Sequence, residues 1–232
     1  MPAPWQAATV VAIHDETPRT KTFRLRLGAP SGHRAGQHYV VRLTAPDGYT
    51  ASRSYSVASP PRDGDEIDLT VERLDDGEVS MFLHDVVEVG DELEVRGPIG
   101  GYFVWDGAAP ALLLGGGSGL VPLMAMLRLA RATGRDGLVH LVVSVRTPGD
   151  LYYADELLGR DDATILYSRA TPPGWERPAG RLRADDVVPH LRDDDTVYVC
   201  GSAPFTDAVG DLLLDLGVTP ERVRFERFGP SA

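Results

Sequence analysis

Residues 111–123, Ala111-Leu-Leu-Leu-Gly-Gly-Gly-Ser-Gly-Leu-Val-Pro-Leu123, decide how the second half of the chain folds. An apolar run passes straight into a glycine loop, Gly115 to Gly119, and Leu120 opens a helix-like segment. Glycine reaches positive φ and lets the backbone approach another group closely. Free amides at a helix start favour an anionic group such as a pyrophosphate. Pro122 suits a first helical turn, where its missing donor is not needed. A glycine run alone is equally a tight strand–helix turn, but in the first turn of a βαβ unit it points to a dinucleotide site. The pattern departs from G-x-G-x-x-G, because position 120 is leucine and no acidic residue follows about 20 positions on to hold a ribose hydroxyl. The next strand ends instead in Ser144-Val-Arg146.

Downstream of this loop, strands at 139–145, 164–167, 196–200 and 222–227 alternate with helices at 120–133, 151–158 and 205–216. Such alternation predicts a parallel sheet with helices on both faces. The Pro- and Gly-rich stretch 171–178 reads as the clearest flexible loop. Upstream the rhythm differs. Short strand-like runs at 8–13, 22–27, 37–43, 52–59, 67–73 and 92–96 are separated by turn residues, with one short helix at 79–84. Their spacing predicts an antiparallel barrel or sandwich. The chain therefore divides into residues 1–106, a β domain, and 107–232, an α/β domain.

Composition narrows the function. The chain has 232 residues, 43% of them hydrophobic, with no apolar run long enough for a membrane helix and no secretion-like start. A cytoplasmic location is the expectation. One cysteine, Cys200, excludes an internal disulfide and a Cys-ligated cluster or structural zinc held by this chain alone. The six histidines have no metal-ligand spacing. A net charge of −11 argues against nucleic acid or an anionic membrane as a partner. All but one of the 23 basic residues are arginine, whose planar fork suits phosphate, although a composition bias explains the overall count better.

In the β domain, Arg53-Ser54-Tyr55-Ser56 lies in a strand, with Arg53 and Tyr55 on one face and Ser54 and Ser56 on the other. An arginine beside an aromatic suits a ligand with a phosphate and a flat ring. Taken alone, it is as well an edge-strand arginine covering a half-buried tyrosine.

Taken together, the motifs resemble the ferredoxin–NADP reductase superfamily from end to end. Arg53-Ser-Tyr-Ser56 is similar to its R-x-Y-S/T flavin motif, and Gly77-Glu-Val-Ser80 to its G-x-x-S flavin-pyrophosphate motif. Gly97-Pro-Ile-Gly-Gly-Tyr-Phe103 resembles the G-P-x-G-x-F segment that closes the barrel. Gly115-Gly-Gly-Ser-Gly-Leu-Val-Pro122 matches G-G-G-x-G-x-x-P, and Cys200-Gly201 the C-G pair of the fourth strand.

The resemblance implies an FAD-binding antiparallel Greek-key β-barrel followed by a Rossmann-like parallel α/β domain that binds NAD(P). It implies that Arg53 holds the flavin phosphate, Tyr55 stacks on the ring, and Ser54 and Ser56 line it, Ser56 near N5. Backbone groups of Val71, Glu72 and Arg73 would line the ribityl or adenine side, and Gly77, Val79 and Ser80 the pyrophosphate, which favours FAD over FMN. Gly115, Gly116, Gly117, Ser118, Gly119 and Pro122 would hold the nicotinamide dinucleotide. Cys200 and Gly201 would lie beside the nicotinamide, Cys200 for packing and positioning rather than as a nucleophile. Arg146, Ser168, Arg169 and Arg181 are candidates for a 2′-phosphate, which leans the donor towards NADPH over NADH. Phe228 either shields the flavin or merely packs the last strand. Glu226 either relays a proton or makes a surface ion pair, and the ion pair is favoured. Ser56, Cys200 and Phe228 form the expected catalytic set.

The implied reaction carries electrons from NAD(P)H through FAD to a separate acceptor, a ferredoxin or an oxygenase component. Charge does not favour an acidic ferredoxin, since residues 1–106 carry −7 and the remainder −4. An NAD(P)H:flavin or quinone reductase, an electron-transfer subunit of a larger complex, and a non-catalytic dinucleotide sensor remain as alternatives.

Overall fold

A computed structural model describes residues 3–30, 32–62 and 64–228. The first half holds β1 (Trp5–Thr17), β2 (Thr20–Leu27), β3 (His38–Thr44), β4 (Thr50–Ser56), β5 (Glu66–Glu72), α1 (Glu78–Asp85) and β6 (Glu92–Ile99). Its strands pair in the order β4-β3-β6-β1-β2-β5, all antiparallel. A bridge between Val57 and Leu69 joins the end of β4 to β5 and closes the barrel. Alternation explains the strands. In β2, Phe23, Leu25 and Leu27 point inward and are buried, while Arg24 points outward and clamps Asp68, its register partner on β5, at 2.7 Å. Burying a side chain such as Leu25 or Ile67 contributes about 1.5–3 kcal/mol each.

The second half holds β7 (Ala111–Gly116), α2 (Leu120–Ala132), β8 (Val139–Val145), α3 (Ala154–Leu157), β9 (Ala163–Tyr167), α4 (Ala184–Val187), β10 (Thr196–Ser202), α5 (Ala203–Asp215) and β11 (Val223–Phe228). Its parallel sheet runs β11-β10-β7-β8-β9. Both faces are covered, so the strands read as near-continuous apolar runs. Leu112, Leu114 and Val142 pack with Val187, Val209 and Leu213 of α4 and α5. Leu113, Leu141 and Val143 pack on the other face with α2, and this cluster continues into the barrel through Ala35, Ala58, Phe103 and Trp105.

Three expectations need correction. The helix at 151–158 is a short turn, Pro148–Asp150, followed by the single turn α3. Tyr153 breaks it with φ 57 and ψ 34, because its side chain and that of Tyr152 are turned into the barrel. The strand at 52–59 ends at Ser56; Val57 keeps a single bridge to Leu69 in the barrel, and the Ala58 carbonyl turns to accept from Arg128 of the second half. The loop 171–178 is fastened: the Trp175 ring stands edge-on to Tyr167 at 5.1 Å and packs on the shared cluster.

Candidate active site at the seam

The β4 register sorts the flavin motif into two faces. Tyr39 lies opposite Tyr55 and Val41 opposite Arg53, whereas His38 lies opposite Ser56 and Val40 opposite Ser54. Tyr55 packs against the barrel core, and burial pushes its phenol up while the Arg53 charge acts the other way. The Arg53 guanidinium donates only to the Ser52 carbonyl, at 2.8 Å, and makes no ion pair among the described residues. Ser54 is exposed on the opposite face from Arg53 and Tyr55. Ser56 is buried, and its Oγ has no hydrogen-bond partner among the described residues. An orphaned buried hydroxyl carries a desolvation cost of roughly 1–3 kcal/mol, so it marks a position where a partner belongs. His38 beside it escaped the sequence reading; burial lowers its imidazole below the usual value.

The Gly77–Ser80 motif is held by bonds of its own. Ser80 Oγ donates to the Gly77 carbonyl at 3.0 Å and accepts from the Leu74 amide at 3.1 Å, so it staples its own loop. A Cβ on Gly77 would sit 2.4 Å from that oxygen, which explains the glycine. Val79 belongs to the barrel core. Val71 offers its carbonyl to His84 Nε2 at 2.8 Å, Glu72 accepts from the Tyr152 hydroxyl at 3.0 Å, and Arg73 pairs with Asp85. These three residues are knitted into the wall, which leaves α1's uncapped start as the open polar feature there.

The glycine loop divides by purpose. Gly117 has φ 56 and open space where a Cβ would point. A Cβ on Gly116 would lie 2.6 Å from the Phe205 ring, one on Gly201 2.7 Å from it, and one on Gly119 2.1 Å from the Cys200 carbonyl oxygen. The outer glycines therefore permit close packing of β7, β10 and α5, and Gly117, next to Ser118, makes the turn that faces outward. Pro122 is buried in the first turn of α2.

On β10, Cys200 lies between Gly115 of β7 and Glu226 of β11. Burial, and then the neighbouring Glu226 charge, push its thiol well up, so it stays neutral and packs. Phe228 ends β11 opposite Ser202 and packs on the same cluster as Cys200 and Ala58. That cluster brings the second and third members of the expected catalytic set to the seam, where Ser56 stands two residues before Ala58. Glu226 makes no ion pair among the described residues, against the favoured expectation. Its Oε2 is buried without a partner, and desolvation pushes the carboxyl up to about 7. Alternation along β11 gives the signal: Glu226 shares the face of Phe228, two positions on.

At the ends of β8 and β9, the Ser168 amide donates to the Val145 carbonyl at 2.8 Å and the Arg169 amide to that of Arg146 at 2.9 Å. Gly180, next to Arg181, donates to the Tyr167 carbonyl at 3.0 Å. Arg146, Arg169 and Arg181 are exposed, and none has a side-chain bond or ion pair among the described residues. Arg177, by contrast, is engaged with Asp186.

These features fit a flavin and a dinucleotide. Of the five buried polar side-chain atoms without a partner among the described residues, Ser56 Oγ and Glu226 Oε2 belong to the segments at the seam, and unpaired guanidinium groups stand at Arg53 and beyond β8 and β9. No group of three or more potential metal ligands occurs among the described residues. No helix among them is long and apolar enough to cross a membrane.

Comparison with known proteins agrees. The Oxidoreductase FAD-binding domain family matches residues 7–104 and the Oxidoreductase NAD-binding domain family residues 113–211. The reductase component of propane 2-monooxygenase from Rhodococcus jostii (strain RHA1) is 32% identical over 70% of this chain and 47% of that protein. The ferredoxin–NAD(P)+ reductase component of the naphthalene 1,2-dioxygenase/salicylate 5-hydroxylase systems of Ralstonia sp is 29% identical over 99% of this chain and 71% of that protein. The flavohem-like FAD/NAD binding domain of nitric oxide dioxygenase from Vibrio cholerae O1 biovar El Tor superposes with a TM-score of 0.86 at 24% identity, covering 97% of this chain and 99% of that one, and supports the fold. The chain spans about half the length of several curated relatives it matches. With a barrel carrying the R-x-Y-S strand, a parallel sheet carrying the glycine turn and both domain families in that order, the chain belongs to the ferredoxin reductase-like family of FAD- and NAD(P)-binding oxidoreductases.

Proposed function

We propose that this chain draws electrons from a reduced nicotinamide dinucleotide, NADPH in preference to NADH, and through FAD delivers them to a separate protein, an oxygenase component or a ferredoxin. The boundary between the two working halves falls near Asp106. The observation that carries the reading is Ser56: a buried hydroxyl without a partner, two residues from the seam that Cys200 and Phe228 also line. The kinship with reductase components of oxygenase systems supports the choice of acceptor.

FAD supplies the exchange between a two-electron donor and a one-electron acceptor when bound. The chain supplies binding, alignment and proton control. Arg53 holds phosphate with a guanidinium that has no carboxylate competing for it. Tyr55 presents its ring, and Ser56 Oγ holds a hydrogen bond beside the reacting edge. Uncapped amides at the starts of α1 and of the Gly117–Gly119 turn take pyrophosphate oxygens. Neutral Cys200 fills space without adding charge, and Phe228 covers the seam. The Glu226 carboxyl, pushed up to about 7, gains and loses a proton near neutral pH where charge changes during turnover. Arg146, Ser168, Arg169 and Arg181 grip the 2′-phosphate.

An anaerobic titration of the purified protein with NADPH and with NADH tests this. The expected result is a yellow protein that bleaches with either donor, at lower concentration with NADPH, and an Arg53→Ala variant that loses flavin. A colourless protein, or one that neither donor bleaches, rejects the reading. A screen with an iron–sulfur protein, a haem protein, free flavin and a quinone then separates a component reductase from a flavin or quinone reductase.

A further inference from the structure

Arg128 lies on α2, nine residues after Gly119, and its side chain is only 17% exposed. Three groups fix its guanidinium. Glu156 accepts from Nε at 3.0 Å and also from Nη2. The Tyr153 ring lies 4.5 Å beneath it. Nη1 donates at 2.8 Å to the carbonyl of Ala58, in the other half of the molecule. One rigid fork therefore ties the helix that starts at the glycine turn to the segment that continues from Ser56.

Tyr153 completes the link from the opposite direction. It is the one non-glycine residue with positive φ among those described. Such a backbone persists only where its surroundings over-determine it. Here its amide donates to Glu16 Oε2 at 3.1 Å and its hydroxyl to Thr70 Oγ1 at 2.5 Å. Glu16 is held in turn by the Thr22 hydroxyl at 2.7 Å, and Thr22 meets Thr70 at 2.7 Å. The barrel wall thus presents a closed set of polar groups to an incoming tyrosine. Apolar packing across the seam resists separation but is non-directional. These bonds are directional, so they set the angle between the halves.

We propose that Arg128 and Tyr153 are positioning residues that fix how the α/β half presents a bound nicotinamide to the flavin strand. The proposal rests on the functional reading above. A reaction that depends on alignment loses rate when its carriers shift by about an ångström, even where neither loses affinity. Neither residue is placed at the reacting groups, so the hub acts through geometry alone.

The test compares the full-length, FAD-loaded protein with Arg128→Met, Tyr153→Phe, Glu16→Ala and Glu16→Gln. Scattering gives the radius of gyration, about 17 Å for a compact chain of this length. Anaerobic stopped flow gives the rate of flavin bleaching at saturating NADPH and, from its concentration dependence, the dissociation constant. Arg128→Met is expected to bleach at least ten-fold more slowly, with flavin content unchanged, affinity within three-fold and a larger radius. Tyr153→Phe and Glu16→Ala are expected to slow it three- to ten-fold, and Glu16→Gln, which keeps the accepting oxygen, to restore the wild-type rate. Should Arg128→Met fail to fold, the Tyr153 and Glu16 variants decide by the same readings. Variants that melt earlier but bleach at the wild-type rate overturn the proposal, and so does a slower rate with an unchanged radius. A wild type that no donor bleaches rejects the functional reading instead; the radii then decide, since loosened variants support the hub and unchanged ones remove it.

Discussion

Replacing Gly119 by alanine separates two readings of the glycine loop by the sign of a stability change. Gly119 has φ −61 and ψ −12, values that alanine adopts without strain. On backbone grounds alone the substitution stabilises by about 0.4–1 kcal/mol, because alanine restricts the unfolded chain. The packing argues the other way. The new Cβ would stand 2.1 Å from the Cys200 carbonyl oxygen, 2.3 Å from its carbon and 2.6 Å from the Gly201 nitrogen. These are backbone atoms of β10, held on both sides by the ladders to β7 and β11, so they cannot swing away as a side-chain tip does. Overpacking costs about 1–3 kcal/mol, and a clash with backbone belongs at the upper end. A loss of about 3 kcal/mol in a chain of this size lowers the melting temperature by roughly 6–12 °C. The neighbouring control is Gly117→Ala, where nothing lies within 4 Å but φ is 56. It costs about 1–2 kcal/mol by conformation alone, and Gly117→Asn costs less because asparagine tolerates that region. Thermal melts of the three variants check the set. Gly119→Ala melting at or above the wild-type temperature would refute the close approach of the turn to β10.

Three further outcomes follow from the same geometry. Arg169→Ala should raise KM for NADPH at least ten-fold while leaving KM for NADH within two-fold; equal changes with the two donors remove the 2′-phosphate role. His140 stacks on His190 at 3.5 Å with the Thr164 hydroxyl between their Nε2 atoms, and burial, then His190, lower its imidazole to about 4. The unfolded chain binds that proton near 6.5 and the folded chain only near 4, so stability should fall as pH drops through this window, and His140→Gln should flatten the slope measured by denaturant melts. Glu226 has the opposite sign: its folded carboxyl titrates at about 7 against 4.5, so stability is lost as pH rises between them. Glu226→Gln should accordingly melt higher than wild type at pH 8 and the same at pH 4, while its bleaching rate should lose any dependence on pH near 7.

The two-domain plan of the molecule is legible because local pattern decides it. Alternation in β2 and the run Ala111 to Leu114 bury what their periods say they bury. The helix expected at 151–158 failed because the same apolar residues that would line a helix face, Tyr152 and Tyr153, are claimed by polar partners in the barrel. Periodicity records that a residue is to be buried, not which half of the molecule buries it. The loop 171–178 failed for a related reason. Its proline and glycine content describes the backbone, whereas Trp175 anchors it through a contact with Tyr167.

The site was legible in its motifs and illegible in its divisions of labour. A motif gives the residue types at a place, and more than one demand selects the same type. Glycine at 119 answers to the Cys200 carbonyl and glycine at 117 to a left-handed turn, although both satisfy one pattern. Ser80 has the hydroxyl a phosphate would want, but spends it on Gly77 and Leu74. Ser56 has the same hydroxyl and gives it to nothing among the described residues. What distinguishes the two serines is which bonds are already made, and that depends on contacts between segments far apart in sequence. Glu226 extends the point: strand alternation places it on the inner face beside Phe228, yet the preference for a surface ion pair prevailed because a buried, unpaired carboxylate is costly on its own. The proposed reaction would supply the reason to accept that cost, since a carboxyl titrating near neutrality is of use where charge changes during a reaction and of none on a surface.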